Sequence, residues 1–89
     1  MNLSKNEPLP PLPKLELGRY YHYKHPDELY EVLGVSRHTE TLEPLVVYRA
    51  LYEKPNREFG ALWVRPYEMF TGTVVCDGKQ MNRFEKLKS

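Results

Sequence analysis

The sequence has few of the residues that build cross-links or metal centres. Cys76 is the single cysteine among 89 residues, which excludes an internal disulfide, a zinc ribbon and a thioredoxin-type cysteine pair. Long apolar runs are also missing, because prolines interrupt the N-terminal region from Pro8 onward, so neither a secretion signal nor a membrane helix is predicted. We therefore expect a protein of a reducing compartment, the cytoplasm, with no membrane partner.

A strong excess of charge of one sign is missing as well. The 13 basic and 12 acidic residues give a net charge of +1, and they are interleaved without a run of like charge. Because binding to nucleic acid draws on clustered positive charge, a nucleic-acid partner receives only weak support. The chain is 40% hydrophobic, enough for one core in one domain, and its small size is compatible with a homodimer.

The first 17 residues differ in amino-acid composition from the rest of the chain. They contain four prolines, which favour an extended polyproline II backbone and withhold amide donors from a helix or sheet: Pro8, Pro10, Pro11 and Pro13. We predict a flexible proline-rich tail over residues 1–17 and a single small β-barrel-like domain over residues 18–89.

From residue 18 onward, short runs rich in tyrosine, valine and leucine alternate with turn residues, which is typical of a small all-β domain. We predict five or six strands at 19–24, 29–35, 45–53, 61–65, 71–76 and 82–86, with one helical turn at 66–70 opened by Pro66. The fold class predicted is mainly β, a small SH3-like barrel, although a curved open sheet would produce the same pattern.

The loop between the second and third predicted strands carries the most reactive side chains. His38 beside Glu40 could act as a general base or hold a polar ligand. The alternative is that the side chains of Thr39, Glu40 and Thr41 satisfy backbone donors within the loop. A metal site drawn from the three histidines and Glu40 lacks any recognised ligand spacing, so we predict no metal and no cofactor.

Aromatic and arginine residues form a second candidate surface. Strand alternation places Tyr48 on one face of its strand and Arg49 on the other, while Trp63 and Arg65 share a face. Such a surface could stack a planar group and pair its phosphate or carboxylate. The alternative is that the rings are the core and rim of a small barrel, with the arginines lying over them.

Seven short motifs resemble a small bacterial family known as domain of unknown function 1653. They are residues 18–24 (GRYYHYK), 30–33 (YEVL), 38–41 (HTET), 47–49 (VYR), 63–66 (WVRP), 69–70 (MF) and 83–84 (RF). The resemblance implies a compact, mostly β domain of the bacterial cytoplasm, and it implies no activity. The chain departs from the family pattern at Tyr21, where arginine is usual, and at His25, where glycine is usual, which weakens any scheme that needs an arginine on that strand.

Our leading hypothesis is a binding module for a small anionic ligand, a peptide or a nucleic acid, because small β domains are common binding scaffolds. Its predicted ligand-binding residues are His38, Glu40, Tyr48, Arg49, Trp63 and Arg65. The first alternative is a hydrolase-like enzyme that uses His38 and Glu40. The second is a structural or self-assembling protein that pairs through its exposed strand edges.

Overall fold

The structure is a computed structural model that describes residues 8–88. Its elements are β1 (Gly18–His22), β2 (His25–Arg37), β3 (Pro44–Ala50), β4 (Leu62–Pro66), α1 (Tyr67–Thr71), β5 (Thr73–Cys76), β6 (Lys79–Asn82) and β7 (Phe84–Lys86). The prediction of a mainly β domain with one short helical segment is confirmed. No described helix is long and apolar enough to cross a membrane.

The strands form an open five-stranded sheet and a separate hairpin. The order in the sheet is β4-β3-β2-β1-β7, and β5 pairs only with β6. Because β4 and β7 each have one neighbour, the sheet does not close into a barrel, and the curved open sheet is the form that this chain adopts. Its curvature is aided by a register shift of β2 against β3 between Val32 and Gly34, since a bulge bends a strand and increases its twist.

One face of this sheet carries the core. Alternation along β2 and β3 turns every second side chain to that face. The helix α1 packs over it, and Phe84 of the edge strand β7 is also buried there. The buried apolar residues are Tyr20, Tyr30, Val32, Val46, Tyr48, Ala50, Phe70 and Phe84. The Phe70 ring from α1 stacks on the Phe84 ring from β7, with 4.2 Å between centroids. The core is therefore an aromatic layer between the curved sheet and α1.

Two predicted boundaries differ from the observed ones. The turn between the first two strands lies at residues 23–24, whereas the predicted strands leave residues 25–28 between them. Pro26 lies in a stretch of β2, residues 26–28, that has no partner in β1. The predicted strand at 82–86 is split, because residue 82 pairs with β5 whereas Phe84 pairs with β1. Arg83 lies at the break, and residues 8–88 contain seven strands instead of the five or six predicted.

The described part of the proline-rich segment, residues 8–17, forms neither helix nor strand; the first seven residues of the predicted tail lie outside the described residues. The segment runs along the domain and is hydrogen-bonded to it. The Tyr20 hydroxyl donates to the Glu16 carbonyl at 2.8 Å, and Arg37 donates to the Pro10 carbonyl at 2.6 Å. Leu15 packs against the core.

Candidate functional site

A cleft opens on the core face of the sheet, where the β1–β2 turn approaches the segment that follows β3. Its volume is about 340 Å³. Basic, aromatic and amide side chains surround a single carboxylate in its lining: His22, His25, Glu28, Tyr30, Tyr52, Lys54, Asn56, Arg57 and Arg65. This composition makes the cleft rich in hydrogen-bond donors.

Arg57 is held in the cleft by three aromatic side chains. Its Nη1 donates to the hydroxyls of Tyr30 at 3.2 Å and Tyr52 at 3.1 Å. Its guanidinium lies 4.5 Å from the centroid of the Trp63 ring. The backbone of Arg57 exchanges two 2.9 Å hydrogen bonds with Lys54, so a tight turn presents both basic side chains. Arg57 is thereby pre-oriented, and little conformational entropy remains to be lost when it contacts a ligand.

Glu28 is the only carboxylate that the described residues contribute to the cleft lining, and Lys54 balances its negative charge. Its side chain is 10% exposed, and its Oε2 lies 2.5 Å from Lys54 Nζ. The hydrogen bond from Lys54, aided by one from Tyr52, lowers the pKa of Glu28, although burial opposes the change. Burial, followed by the hydrogen bond to Tyr30, raises the pKa of Tyr52. Glu28 therefore stays ionised and Tyr52 stays protonated near neutral pH.

The hydroxyls of Tyr30 and Tyr52 are hydrogen-bonded to each other. The Tyr30 and Tyr52 oxygens are 2.7 Å apart, and both accept from Arg57, which has no acceptor of its own. One of the two hydroxyls donates to the other. The network fixes the floor of the cleft.

His22 and His25 form one wall, with ring centroids 6.1 Å apart. The backbone N–H of Lys24 donates to His22 Nδ1 at 3.1 Å, so the neutral ring carries its proton on Nε2 and donates from there. Burial, followed by the nearby Arg65, lowers the pKa of His22. His22 is therefore neutral at pH 7 and acts as a hydrogen-bond donor.

Arg65 completes the ring of basic groups. Its guanidinium lies 5.3 Å from the Phe84 centroid, and its Nε is 3.5 Å from the Tyr48 hydroxyl. Among residues 8–88, neither Arg65 nor Arg57 has a carboxylate oxygen within ion-pair distance. The two guanidinium charges in this cleft are therefore uncompensated, and both rest on aromatic rings.

The structure brings three of the six predicted ligand-binding residues to the cleft side of the sheet. Tyr48 and Trp63 are opposite each other in the β3–β4 ladder and share a face, and Arg65 lies on the same face two residues further along β4. Arg49 points to the other face, where its Nη2 lies 2.5 Å from Glu31 Oε1. Tyr48 is buried at 4% exposure, so it supports the cleft from below.

His38 and Glu40 do not line this cleft. His38 Nδ1 accepts hydrogen bonds from the backbone N–H groups of Glu40 at 3.0 Å and Thr41 at 3.1 Å. The Thr39 hydroxyl donates to the Glu40 carboxylate. These contacts stabilise the turn between β2 and β3. Of the three side chains named in the structural alternative, Thr41 accepts from a backbone donor, the Glu43 N–H, at 3.3 Å, whereas the other two backbone donors are satisfied by His38.

The residues that sequence reasoning missed are Glu28, Tyr52, Lys54 and Arg57. Two patterns could have indicated them. Glu28, Tyr30 and Val32 alternate on one face of β2, which places a carboxylate on the core side. The two-residue turn at Pro55 and Asn56 sets Lys54 and Arg57 across from each other.

A second cavity of about 300 Å³ lies between the proline-rich segment and α1. Its lining includes Leu15, Phe70 and Phe84, with one acidic residue, Glu85, and one basic residue, Lys86. Its charges balance, so it lacks the donor excess of the first cleft.

Comparison with known proteins identifies a family for this chain but no activity. The profile of a family described as "Protein of unknown function (DUF1653)" matches residues 18–86. A crystal structure of a protein belonging to that family from Bordetella bronchiseptica is similar, with a TM-score of 0.70 and 30% identity over 82% of this chain and 87% of that one. No curated protein matches this chain.

Proposed function

This chain belongs to the DUF1653 family of proteins of unknown function, and we propose that it is a binding module whose cleft holds a small anionic ligand. One observation carries the proposal. Arg57 and Arg65 line the same cleft without a carboxylate partner in the described residues, whereas the negative charge of Glu28 is balanced by Lys54. An anion would supply the missing countercharge.

The surroundings of the two arginines strengthen their attraction for an anion. Both guanidinium groups lie against aromatic rings, Arg57 on Trp63 and Arg65 on Phe84, and these rings exclude water from one side. Charge-assisted hydrogen bonds are stronger where the local dielectric is low. Arginine also presents paired donors that match the oxygens of a phosphate or a carboxylate.

The dimensions of the cleft limit the ligand. A volume of about 340 Å³ is near the lower end of small-molecule sites, which run from roughly 300 to 1,000 Å³. His22 adds a neutral donor, and Asn56 adds an amide at the margin. A phosphate or carboxylate on a small organic group suits this space better than an extended nucleic acid, because the net charge of the whole chain is only +1.

The test is a thermal-shift screen of the 89-residue protein against phosphate, pyrophosphate, mononucleotides, di- and tricarboxylates, acidic peptides and short oligonucleotides. A ligand at 100 times its Kd stabilises the native state by about 2.7 kcal/mol, which raises the melting temperature of a domain of this size by roughly 10 °C or more. We expect at least one small anion to produce such a shift.

Matched variants locate the site. Arg65→Met keeps an unbranched apolar side chain over Phe84 but removes the charge, and it should abolish the shift. Arg49→Met removes an arginine from the opposite face, and it should leave the shift intact. A shift of equal size in both variants, or silence across every anion, would refute the proposed site.

The location of the protein is a separate proposal. We place the module in the bacterial cytoplasm, which is supported by a lone free cysteine, Cys76, and by the absence of any possible internal disulfide. Detection of the protein in a cytosolic rather than an envelope fraction of its source cells tests this.

A further inference from the structure

The open edge of β4 has a hydrogen-bonding pattern that can be assigned residue by residue. Gly60, with φ of +82°, donates its N–H to the Ala50 carbonyl at 2.8 Å. Ala50 in turn donates to the Ala61 carbonyl at 3.3 Å. This is a bulge with a left-handed glycine in its first position, and it sets the backbone groups of Ala61 toward β3.

Because backbone direction alternates along a strand, Trp63 also faces β3, whereas Leu62 and Val64 direct their N–H and C=O groups outward. Pro66 supports this assignment. It lies at an outward position, opposite Leu45, where a residue without an N–H costs no ladder hydrogen bond. The open edge therefore offers two donors and two acceptors from Leu62 and Val64.

The middle of this edge, at Leu62 and Val64, is open to pairing. Natural edge strands are blunted by charges, prolines, bulges, coverage or short length; β4 has a bulge before its first residue and a proline, Pro66, at its end. Here Leu62 is 65% exposed and Val64 is 56% exposed, and no other described backbone group donates to or accepts from their outward groups. Both side chains lie on the sheet face opposite the cleft, next to Val47.

We propose that this edge pairs with β4 of a second copy of the chain, antiparallel about a twofold axis, to form a continuous ten-stranded sheet. In the register centred on Trp63, Leu62 is opposite the partner's Val64, and Val64 is opposite the partner's Leu62. All four outward groups of each copy are then satisfied. The inference is independent of the ligand proposed above.

The neighbouring registers are poorer because of two residues. Centring on Val64 places Leu62 opposite the partner's Pro66, which has no N–H to donate. Centring on Leu62 places Val64 opposite the partner's Gly60, whose N–H is already bonded to Ala50. The edge is thus self-complementary in one register, which favours a second copy over an unrelated strand.

In this dimer the two Trp63 side chains meet at the axis on the cleft face, and Leu62 and Val64 of both copies form one apolar stripe on the other face. Four backbone hydrogen bonds and these side chains make a small interface, below the roughly 1,200 Å² at which interfaces become stable. We therefore expect an association that depends on concentration.

Sedimentation equilibrium of the 89-residue protein tests the dimer. The average mass should rise with concentration from the 10.6 kDa of one chain toward twice that value. Val64→Lys should hold the protein at the monomer mass. Val75→Lys is the matched control, since Val75 is 76% exposed on β5, and it should dimerise like the parent. The proposal is overturned by a parent that stays monomeric at about 1 mM, or by a Val64→Lys variant that dimerises normally.

Disulfide trapping tests the register in a Cys76→Ser background. Residues facing each other at a non-hydrogen-bonded position have Cα atoms about 4.5 Å apart, within disulfide range, so Trp63→Cys should cross-link to its copy. Two Leu62 Cα atoms would be about 8 Å apart, too far to bridge. Preferential cross-linking of Leu62→Cys would overturn the register. Matching melting temperatures of each variant and its parent establish that folding is intact.

Discussion

Replacing Tyr52 with phenylalanine removes one oxygen atom from the floor of the cleft and leaves the ring. That oxygen accepts from Arg57 at 3.1 Å, lies 2.7 Å from the Tyr30 hydroxyl, and helps to lower the pKa of Glu28. The variant therefore removes a hydrogen-bond partner from the Tyr30 hydroxyl and an acceptor from the Arg57 guanidinium.

The size of the effect follows from these lost contacts. A hydrogen bond to a charged group contributes about 1.5–3 kcal/mol, and the cleft is partly open to water, which places the expected loss near 2 kcal/mol for Tyr52→Phe. For a domain of this length each kcal/mol corresponds to roughly 4–8 °C in melting temperature, so the variant should melt about 8–16 °C lower. A domain with a stability of 5–15 kcal/mol remains folded after this loss.

Urea unfolding followed by the fluorescence of Trp63, the single tryptophan, measures the change in the free energy of unfolding. Tyr67→Phe is the control, because the Tyr67 hydroxyl makes one 3.4 Å contact, with the Lys14 carbonyl, and the variant should stay within about 0.5 kcal/mol of the parent. If Tyr52→Phe is equally neutral, the hydroxyl network does not hold the cleft.

Three further predictions concern the core and the response to pH. Phe70→Ala empties a site that is 1% exposed and should cost about 3–5 kcal/mol by urea unfolding, whereas Phe59→Ala, at 64% exposure, should be neutral. The folded-state pKa of His22 is lowered, so the stability that depends on neutral His22 is present above pH 6.5 and is lost as the pH falls through the folded-state pKa. His22→Gln should therefore flatten this part of the plot of melting temperature against pH. An unchanged plot would contradict a lowered pKa for His22. The lowered pKa of Glu28 gives stability that is present above pH 4.5 and is lost at more acidic pH, and Glu28→Gln should remove that acid-induced loss.

Local alternation was enough to predict part of the site. Tyr48 and Trp63 could each be assigned to a face of a strand from the sequence, because alternation is a property of neighbouring residues. The structure adds the pairing that puts Tyr48 opposite Trp63. Arg49 follows the same rule: it is adjacent to Tyr48 in the chain, and alternation directs its side chain to the opposite face of the sheet.

The cleft itself depends on contacts that the local pattern does not contain. Glu28 and Lys54 meet because β2 and β3 pair with Tyr30 opposite Ala50, and that register follows from packing across the whole sheet. Whether the sheet closes into the predicted barrel depends on whether its two edge strands pair with each other. Among the described strands, β7 pairs with β1 alone and β4 with β3 alone, so the sheet stays open. The lengths of the predicted strands do not indicate which strands will be at the edges.

The most direct test of the binding proposal is an NMR titration of the 89-residue protein with inorganic pyrophosphate, following the Trp63 indole and the ring signals of the three histidines. If the cleft binds an anion, we expect saturable shifts of Trp63, His22 and His25, with His38 unaffected, and loss of these shifts in Arg57→Met but not in Arg49→Met. Shifts confined to His38, or no saturable shift at any of these groups, would contradict the binding proposal.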